Sequence, residues 1–453
     1  MQFRQIHVSL TGVPSSAGRS HRLAPAAILA ASLAATSVAL AQGSFQGLGD
    51  LPGGRGSHAG AVSADGSVVV GFSYDIAATP HAFRWTQANG MHALFEGGLD
   101  FTSSALGISA DGLTIGGWHA PTLVEEKAFF WSVATGEQTL ATRSGVMAIS
   151  GTGAVGAGYV VHGRGAPQRA AIWDSNRSET FIDSPGTIPT SDARGISADG
   201  SVVVGQAVFG TSMIRAFHWT AATGMQNIGS PDSGGPSSHA DAITPDGSVV
   251  VGAVASPQQA VSWTAAGGWR MLGALPGAID SVAYAVSADG GTIVGASGGR
   301  AFVWRQSRGI EDLQTLLAPP AGWTLTEARG ISADGTIIVG NGSLGAWIAT
   351  LPCLTTVPEV DNSLVVTGAP TSTISWGRIG GRFNVYRGSV SGAWSYNQTC
   401  FDPNTAGPST DPTVPPPDTF LFYAVSRRDA CGHESVVGRD SAGAPIPNSA
   451  SCP

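Results

Sequence analysis

The sequence predicts an all-β chain: a seven-bladed β-propeller built from four-stranded repeats of about 44 residues, followed by a small β-sandwich. Three observations predict the propeller. A motif that ends in an Asp-Gly turn recurs along the chain, a run of β-branched residues follows each turn, and the first residues of the array match a strand that the last repeat lacks. The aspartates of these turns are Asp65, Asp111, Asp199, Asp246, Asp289 and Asp334.

Each repeat predicts four short strands. A degenerate seventh copy fills the gap between Asp111 and Asp199, with Thr152 in the place of the aspartate. The first strand carries small residues and ends at the turn, the second is the β-branched run, the third reads Ala-Phe-x-Trp, and the fourth follows a glycine turn. Asp-Gly between apolar runs is a strong hairpin signal because glycine tolerates a positive φ.

The two ends of the array predict a closed ring. The last copy stops after its third strand, near residues 346–348, whereas residues 45–53 resemble the fourth strand of an earlier copy, residues 271–277. A chain whose first strand completes its last blade leaves no exposed sheet edge. The alternative is an open, linear β-solenoid, which would not need the two ends to match.

Residues 1–41 have the features of a signal peptide. They hold three arginines and no acidic residue, and they end in the small-residue site Ala39-Leu40-Ala41. We therefore expect a mature chain that begins near Gln42, has no membrane span, and is secreted or held at the cell surface. Loss of the three arginines takes the formal net charge from −8 to −11. An acidic chain without a basic stripe is a poor partner for nucleic acid.

Residues 352–453 leave the repeat pattern and predict a second domain. Strand-like runs at residues 363–366, 373–376, 383–387 and 420–425 resemble a fibronectin type III-like sandwich, with an irregular loop expected at residues 402–418. Four cysteines in an exported chain predict two disulfides. Three pairings are open, free thiols are the alternative, and we favour Cys400–Cys431 and Cys353–Cys452.

The repeat region, residues 42–351, resembles the HAF repeat family, a set of bacterial extracellular repeats named for His-Ala-Phe. Residues 80–85 read Pro-His-Ala-Phe-Arg-Trp and accompany the Ile-Ser-Ala-Asp-Gly motif. Only this copy carries the full triplet. The resemblance implies a secreted or surface location and propeller-like repeats, and it implies no known reaction.

The repeated charged positions predict structure more than chemistry. Each Asp-Gly turn offers one carboxylate, whereas calcium needs several clustered oxygen ligands, so we expect turn aspartates and no metal or cofactor. A basic residue precedes the third-strand alanine in five copies. Pairing with a hairpin aspartate and a positive ring for an acidic glycan are both open explanations. These residues are His81, Lys127, Arg169, Arg215 and Arg300.

Two positions on the first strand do not repeat, and they predict the candidate site. They flank an alanine, replaced by Val146 in the degenerate copy, at the strand's entry, which in a propeller lies around the mouth of the central channel. The first series is His58, Ser104, Gly145, Asp192, His239, Val282 and Glu327; the second is Gly60, Leu106, Met147, Arg194, Asp241, Tyr284 and Arg329. The predicted binding ring is His58, Asp192, Arg194, His239, Asp241, Tyr284, Glu327 and Arg329. Solvated loop residues without a function are the alternative.

These features favour a non-catalytic extracellular binding or adhesion platform for a glycan or a protein. No nucleophile elbow, zinc-protease motif or phosphate-binding loop accompanies the ring, so no catalytic residue is predicted. The alternative is a carbohydrate-active enzyme, a polysaccharide lyase or hydrolase that uses the ring for acid–base chemistry. A passive structural protein of the envelope is a further alternative.

Overall fold

A computed structural model describes the repeat region and parts of the C-terminal region. The described residues are 43–95, 102–120, 126–163, 166–182, 190–210, 213–231, 237–255, 257–306, 308–352, 365–367, 372–375, 382–390, 399–405, 409–411, 413 and 420–428. The predicted signal peptide therefore lies outside the described residues.

Four sheets have four antiparallel strands in chain order, as each repeat predicts. The first contains β2 (Ser57–Val62), β3 (Val68–Tyr74), β4 (Pro80–Thr86) and β5 (Gly90–Ala93). The second contains β13 (Ser191–Ile196), β14 (Val202–Phe209), β15 (Met213–Thr220) and β16 (Gly224–Gly229). The third contains β17 (Ser238–Ile243), β18 (Val250–Val254), β19 (Gln259–Thr264) and β20 (Gly268–Gly273). The fourth contains β21 (Val282–Val286), β22 (Thr292–Ser297), β23 (Arg300–Arg305) and β24 (Gly309–Asp312), and the short helix α1 (Leu313–Leu317) follows it.

A fifth four-stranded sheet joins the two ends of the array. Its strands are β25 (Leu325–Ile331), β26 (Ile337–Gly342), β27 (Gly345–Thr350) and, from the start of the chain, β1 (Ser44–Gly47). β1 pairs antiparallel with β27, and the Phe45 ring lies 6.0 Å from the Trp347 ring and 5.1 Å from the Trp323 ring. The predicted closure by the first strand is confirmed. The strand ends at Gly47, and residues 49–53 form a turn instead of extending it.

The remaining part of the array forms one sheet of seven strands. Its strands are β6 (Thr102–Ile108), β7 (Thr114–Ala120), β8 (Lys127–Ser132), β9 (Gly136–Ile149), β10 (Gly156–Val161), β11 (Arg169–Trp173) and β12 (Glu179–Phe181). The start of β9 pairs with β8, and its end, from Arg143 to Ile149, pairs with β10. The fourth strand of one predicted repeat and the first strand of the next are therefore one continuous strand.

The sheets contact one another in chain order, and the last contacts the first. A buried serine in the first strand of a repeat accepts a hydrogen bond from the third-strand alanine N–H of the preceding repeat. The pairs are Ala82–Ser103, Ala128–Ser144, Ala170–Ser191, Ala216–Ser238, Ala260–Ser281 and, across the closure, Ala346–Ser57. These bonds satisfy buried backbone donors where neighbouring sheets meet.

A second set of hydrogen bonds links the Asp-Gly turns around the ring. A backbone N–H in one turn donates to a carbonyl oxygen in the next. The pairs are Ala64–Ala110, Ala110–Gly151, Thr152–Ala198, Ala198–Pro245, Ala288–Ala333 and Ala333–Ala64. The series has no bond from Pro245 to the following turn, because proline has no N–H to donate.

The turn aspartates serve the turns themselves. The Ser63 hydroxyl and the Ser67 N–H both donate to Asp65 Oδ1, at 2.6 and 2.9 Å, and the Ser63 hydroxyl oxygen accepts from the Val68 N–H. The same pattern around Asp199 lowers its pKa to about 2, through the Ser197 hydroxyl first and the Ser201 backbone second. The structural explanation of these carboxylates is confirmed.

The described part of the C-terminal region contains two three-stranded antiparallel sheets. One has the order β28 (Val365–Thr367), β29 (Ser372–Ser375), β32 (Ser409–Asp411); the other has the order β31 (Thr399–Thr405), β30 (Arg382–Val390), β33 (Phe420–Arg428). An ion pair of 2.9 Å from Arg387 to the buried Asp411 joins the two sheets. β31 and β32 fall partly within residues 402–418, so the expectation of a wholly irregular loop there was wrong.

Candidate functional site

Every second-series residue lies at a β-bulge. The pairing of the first strand with the second shifts by one residue at the second-series position in every repeat, and β25 has an additional shift at Thr326. A bulge leaves its residue outside the regular alternation of the strand and re-aims its side chain. The bulge residues are Gly60, Leu106, Met147, Arg194, Asp241, Tyr284 and Arg329. We call this end of the innermost strands, away from the Asp-Gly turns, the mouth.

A glycine in the second strand makes room for each bulge. A Cβ at that glycine would overlap the carbonyl oxygen of the first-series residue on the neighbouring strand. The glycines are Gly71, Gly117, Gly158, Gly205, Gly252, Gly295 and Gly340. The glycine that ends every β-branched run is therefore required by close backbone approach, which explains why it recurs while its neighbours vary.

Arg194 joins two neighbouring sheets at the mouth. Its Nε donates to Asp192 Oδ1 at 2.6 Å, and its Nη1 donates to Asp241 Oδ1 at 2.8 Å. Burial lowers the pKa of the Arg194 guanidinium, because it disfavours the charged form. The two carboxylates outweigh burial, and the pKa of Arg194 is raised overall. Gln206 Nε2 donates to the other oxygen of Asp192 at 2.9 Å.

Asp241 is nearly as enclosed as Asp192: 13% of its side chain is exposed, against 12% for Asp192. His239 Nε2 lies 3.2 Å from Asp241 Oδ2, close enough for an ion pair but not aligned as a hydrogen bond. Burial raises the pKa of Asp241, but His239 and Arg194 outweigh burial, and the pKa lies below its ordinary value. Oδ2 is thus a buried acceptor without a hydrogen bond from another described residue.

A second group of charged side chains lies where the last sheet of the ring meets the first. Arg329 Nη2 lies 2.8 Å from Glu327 Oε2, and its guanidinium stacks on the Tyr284 ring at 4.0 Å. Asn341 donates to Glu327 Oε1 at 2.8 Å and accepts from the Ala59 N–H of the first sheet. Burial tends to raise the pKa of Glu327, but Arg329 and Asn341 lower it overall.

His58 lies beside this second group. Its ring stacks on Phe72 at 4.9 Å and meets the edge of Tyr74 at 5.8 Å. Burial lowers the pKa of His58, and the neighbouring Arg329 lowers it further, against an opposite effect of Glu327. The structure thus brings the eight predicted residues into two linked groups, one around Arg194 and one around Arg329.

Sequence reasoning missed a third variable series, which follows the invariant glycine of the second strand. Its members are Phe72, Trp118, Tyr159, Gln206, Ala253, Ala296 and Asn341, each opposite a first-series residue in the strand register. The first three are aromatic and half-buried. Their position directly after a constant glycine was the available signal.

Three of the basic residues before the third-strand alanine have described contacts with residues other than turn aspartates. Arg300 pairs with Asp312 at 2.8 Å, His81 lies 3.2 Å from Asp75, and Arg169 stacks on Phe181 at 3.9 Å. For His81 and Arg300, the predicted pairing with a turn aspartate was therefore wrong in its partner, and for Lys127 and Arg215 it stays a prediction. For these three residues, contacts with nearby carboxylates or an aromatic ring account for a basic residue at this position of the repeat.

No group of three or more His, Cys, Asp or Glu side chains is placed to hold a metal ion in the described part of the chain. No helix in that part is long and apolar enough to span a bilayer. Cys353, Cys431 and Cys452 lie outside the described residues, and only the backbone of Cys400 is described. Both disulfide pairings stay predictions.

One cleft lies at the opposite end from the mouth. It has a volume of about 580 Å³ and lies between the closing sheet and the first sheet, beside Gln46, Ser67 and Thr350. It contains no residue of the three variable series. The cleft is therefore separate from the candidate site.

No family model matches the chain, and no curated protein matches its sequence. The resemblance to the HAF repeat family stays a prediction. Several solved structures are similar. Oligogalacturonate lyase from Vibrio parahaemolyticus is 12% identical over 69% of this chain and 97% of its own, with a TM-score of 0.46. TolB from Acinetobacter baumannii is 13% identical, with a TM-score of 0.41, and the similarity covers 64% of this chain but only 65% of TolB.

The β-propeller domain of Cps50 (Swd1) from Myceliophteria thermophila is 13% identical over 66% of this chain and 97% of its own, with a TM-score of 0.42. At identities and TM-scores this low, none of these similarities assigns a function. The ring of antiparallel sheets, closed by the first strand, defines a protein of the β-propeller class on its own evidence.

Proposed function

We propose that this protein is a secreted, non-catalytic binding or adhesion platform that recognises a glycan or a protein at the mouth. One observation carries the proposal. The ends of the innermost strands at the mouth vary from repeat to repeat and carry charged and aromatic residues on bulges, whereas the opposite ends keep one turn motif. Positions that repeat serve the fold, and positions that vary at one concave end are free to serve a ligand.

The finer architecture is part of this proposal. We count seven blades, because the bulge and its facing glycine occur in β2, β6, the second half of β9, β13, β17, β21 and β25. The seven-stranded sheet then holds two blades that share β9. We also propose that the two C-terminal sheets form a fibronectin type III-like sandwich, supported by the Arg387–Asp411 ion pair between them.

Export supports a role outside the cytoplasm. The proposed signal peptide, the resemblance to HAF repeats and four cysteines are all consistent with a secreted or surface protein. The mouth then meets extracellular glycans or proteins and not nucleotides or nucleic acid. The acidic net charge of −8 agrees with that choice of partners.

The test compares one substitution at two ends of the ring. Arg329→Ala removes a guanidinium at the mouth, and Arg308→Ala removes a half-exposed guanidinium that pairs with Glu311 at 3.3 Å, near the Asp-Gly turns. Binding is measured on glycan and extracellular-protein arrays, and affinity by calorimetry. We expect Arg329→Ala to weaken a saturable ligand about tenfold or more, about 1.4 kcal/mol, and Arg308→Ala to leave it unchanged.

The absence of saturable binding on either array would favour a passive envelope protein and contradict the proposal. Equal effects of the two substitutions would place the binding surface elsewhere.

One observation favours the enzyme as a second candidate. His239 Nε2 lies 3.2 Å from the enclosed carboxylate of Asp241, an arrangement in which a carboxylate can orient a histidine for acid–base chemistry. Turnover of neutral and acidic polysaccharides by the wild type and by His239→Ala decides between the two. Hydrolysis or elimination that disappears in the variant would establish the enzyme.

A further inference from the structure

We propose that the mouth binds an uncharged carbohydrate, whose apolar ring face stacks on the aromatic side chains of the first repeats and whose hydroxyls bond to the charged side chains of the later ones. This inference rests on the proposed binding function and names its ligand class. It depends on a division of the mouth into two arcs.

The aromatic arc consists of Phe72, Trp118 and Tyr159, the third-series residues of three successive repeats. Tyr159 lies over the innermost strand of its own sheet: a Cβ on Gly145 would be 2.7 Å from the tyrosine ring. Its hydroxyl donates to Glu126 Oε2 at 3.2 Å, which fixes the ring orientation. The ring fits over this strand because the residue opposite Tyr159 is Gly145, which has no side chain.

The same size relation holds beside Trp118, which lies opposite Ser104 in the strand register. Phe72 instead packs on His58. Trp118, Tyr159 and Phe72 are all half-buried, so part of each side chain remains available to a ligand. A pyranose ring presents a face of C–H groups that packs on such aromatic surfaces, while its hydroxyls point outward around the edge.

The polar arc consists of Asp192, Arg194, Asp241, Glu327 and Arg329. It carries acceptors and donors side by side, which suits hydroxyl groups because each hydroxyl both donates and accepts. The ion pairs of Arg194 and Arg329 hold these side chains in fixed positions. Fixed polar groups bind with less loss of side-chain entropy than free ones.

The two arcs meet on both sides of the ring. On one side, Asn341 donates to Glu327 and accepts from the N–H of Ala59, the residue after His58, and the His58 ring stacks on Phe72. On the other side, β10, which carries Tyr159, contacts β13, which carries Asp192. A single sugar unit can therefore contact both arcs.

The charges favour an uncharged ligand. Arg194 is shared by two carboxylates, and Arg329 is paired with one. Arg143 also acts on Tyr159, and Lys127 is the partner of Arg143 in the strand register, so these four cations are matched by four carboxylates. The carboxylates are Glu126, Asp192, Asp241 and Glu327. With no excess positive charge at the mouth, a uronate or a sulfated sugar gains no net electrostatic attraction to offset the desolvation of its charge.

The experiment measures calorimetric affinity for two sets of oligosaccharides. The uncharged set contains β-1,4-glucan, mannan and xylan fragments, and the acidic set contains oligogalacturonate and alginate fragments. The proteins are wild type, Trp118→Ala, Tyr159→Ala and the control Trp269→Ala, which removes a half-buried tryptophan from the outermost strand β20. Thermal melting of each variant establishes that it is folded.

We expect binding of at least one uncharged oligosaccharide, a loss of about tenfold or more in Trp118→Ala and Tyr159→Ala, and no loss in Trp269→Ala. Stronger binding of the acidic set overturns the inference, and so does binding that is insensitive to the two aromatic substitutions. No binding of uncharged sugars also overturns it. In these cases the proposed function stands if Arg329→Ala still weakens another glycan or a protein, and it fails separately if nothing binds.

Discussion

The two ends of the innermost strands differ in what their residues contact. At the turn end, the side chains form hydrogen bonds within their own turn, and backbone groups of neighbouring turns bond to each other. At the mouth end, side chains such as Arg194 and Arg329 contact charged groups of other residues and remain partly exposed, at 27% and 40%. The turn end therefore fixes the fold, and the mouth end is free to vary.

The physical basis of the difference is the bulge. Between the two ends, the strand loses one residue of register at the second-series position. The turn end keeps the regular alternation and a buried hydroxyl residue in every repeat, a serine such as Ser63 in six and Thr244 in one, because its oxygen accepts a hydrogen bond from a backbone N–H of the second strand. Beyond the bulge, the backbone is held by a glycine contact that makes no demand on the first- or second-series side chains.

The largest effect is expected from opening the ring. A chain that starts at Gly54 lacks β1 and loses its pairing with β27 and the contacts of Phe45 with Trp323 and Trp347. We expect the free energy of unfolding to fall by more than about 4 kcal/mol, measured by denaturant titration against a chain that starts at Gly43. Unchanged stability would mean that the sheets hold together without the pairing of β1 with β27, and it would contradict the role of the first strand in closing the ring.

A smaller effect is expected at the glycine that supports the bulge. Gly205→Ala would place a Cβ against the carbonyl oxygen of Asp192, and we expect a loss of about 2–3 kcal/mol in unfolding free energy. The control is Gly224→Ala, at a glycine with φ 65° and no atom within 4 Å of the added Cβ. Only backbone strain acts there, so its cost should be about 1 kcal/mol. Equal costs would refute the close-approach explanation.

The smallest effect is expected at the turn end and depends on pH. The pKa of Asp199 is about 2 in the folded chain, below its ordinary 3.8, so its stabilising contribution is present above the ordinary value and is lost as the pH falls towards 2. Asp199→Asn should cost under about 1 kcal/mol at pH 7 because the carboxylate is exposed. The difference from wild type, followed by thermal melting, should shrink between pH 4 and pH 2.

Thr152→Asp provides the reciprocal test at the degenerate turn. Thr152 Oγ1 lies 3.3 Å from the Ser150 hydroxyl, a longer contact than the 2.6 Å from Ser197 to Asp199. Restoring the carboxylate should raise the unfolding free energy by a few tenths of a kcal/mol, about 0.5. A loss of stability would indicate that this repeat has adapted to threonine.

Much of the ring could be predicted because its signals are local and repeated. The Asp-Gly turns predicted the hairpins, and the match of residues 45–53 to a fourth strand predicted the closure of the ring. The continuous strand β9 could not be predicted, since nothing in residues 136–149 separates one long strand from two short ones. The pairing of Arg300 with Asp312 was missed for a similar reason: several carboxylates lie within reach of the same position.

The candidate site was predicted from variation alone, and its geometry was not. The first and second series named the eight charged and aromatic residues, but Phe72, Trp118 and Tyr159 were overlooked. These three belong to a different strand, and only the register places them opposite His58, Ser104 and Gly145. Which side chains share a surface depends on pairing between strands, and a single sequence does not state that pairing.

By itself, the sequence determined the repeated sheet, the turns and the strand that closes the ring, because each depends on residues close together in the chain or on an obvious match of its ends. The tertiary structure decided which side chains meet at the mouth. Arg194 reaches Asp241 and Arg329 reaches Tyr284 only because neighbouring sheets are packed with their bulges at the same height.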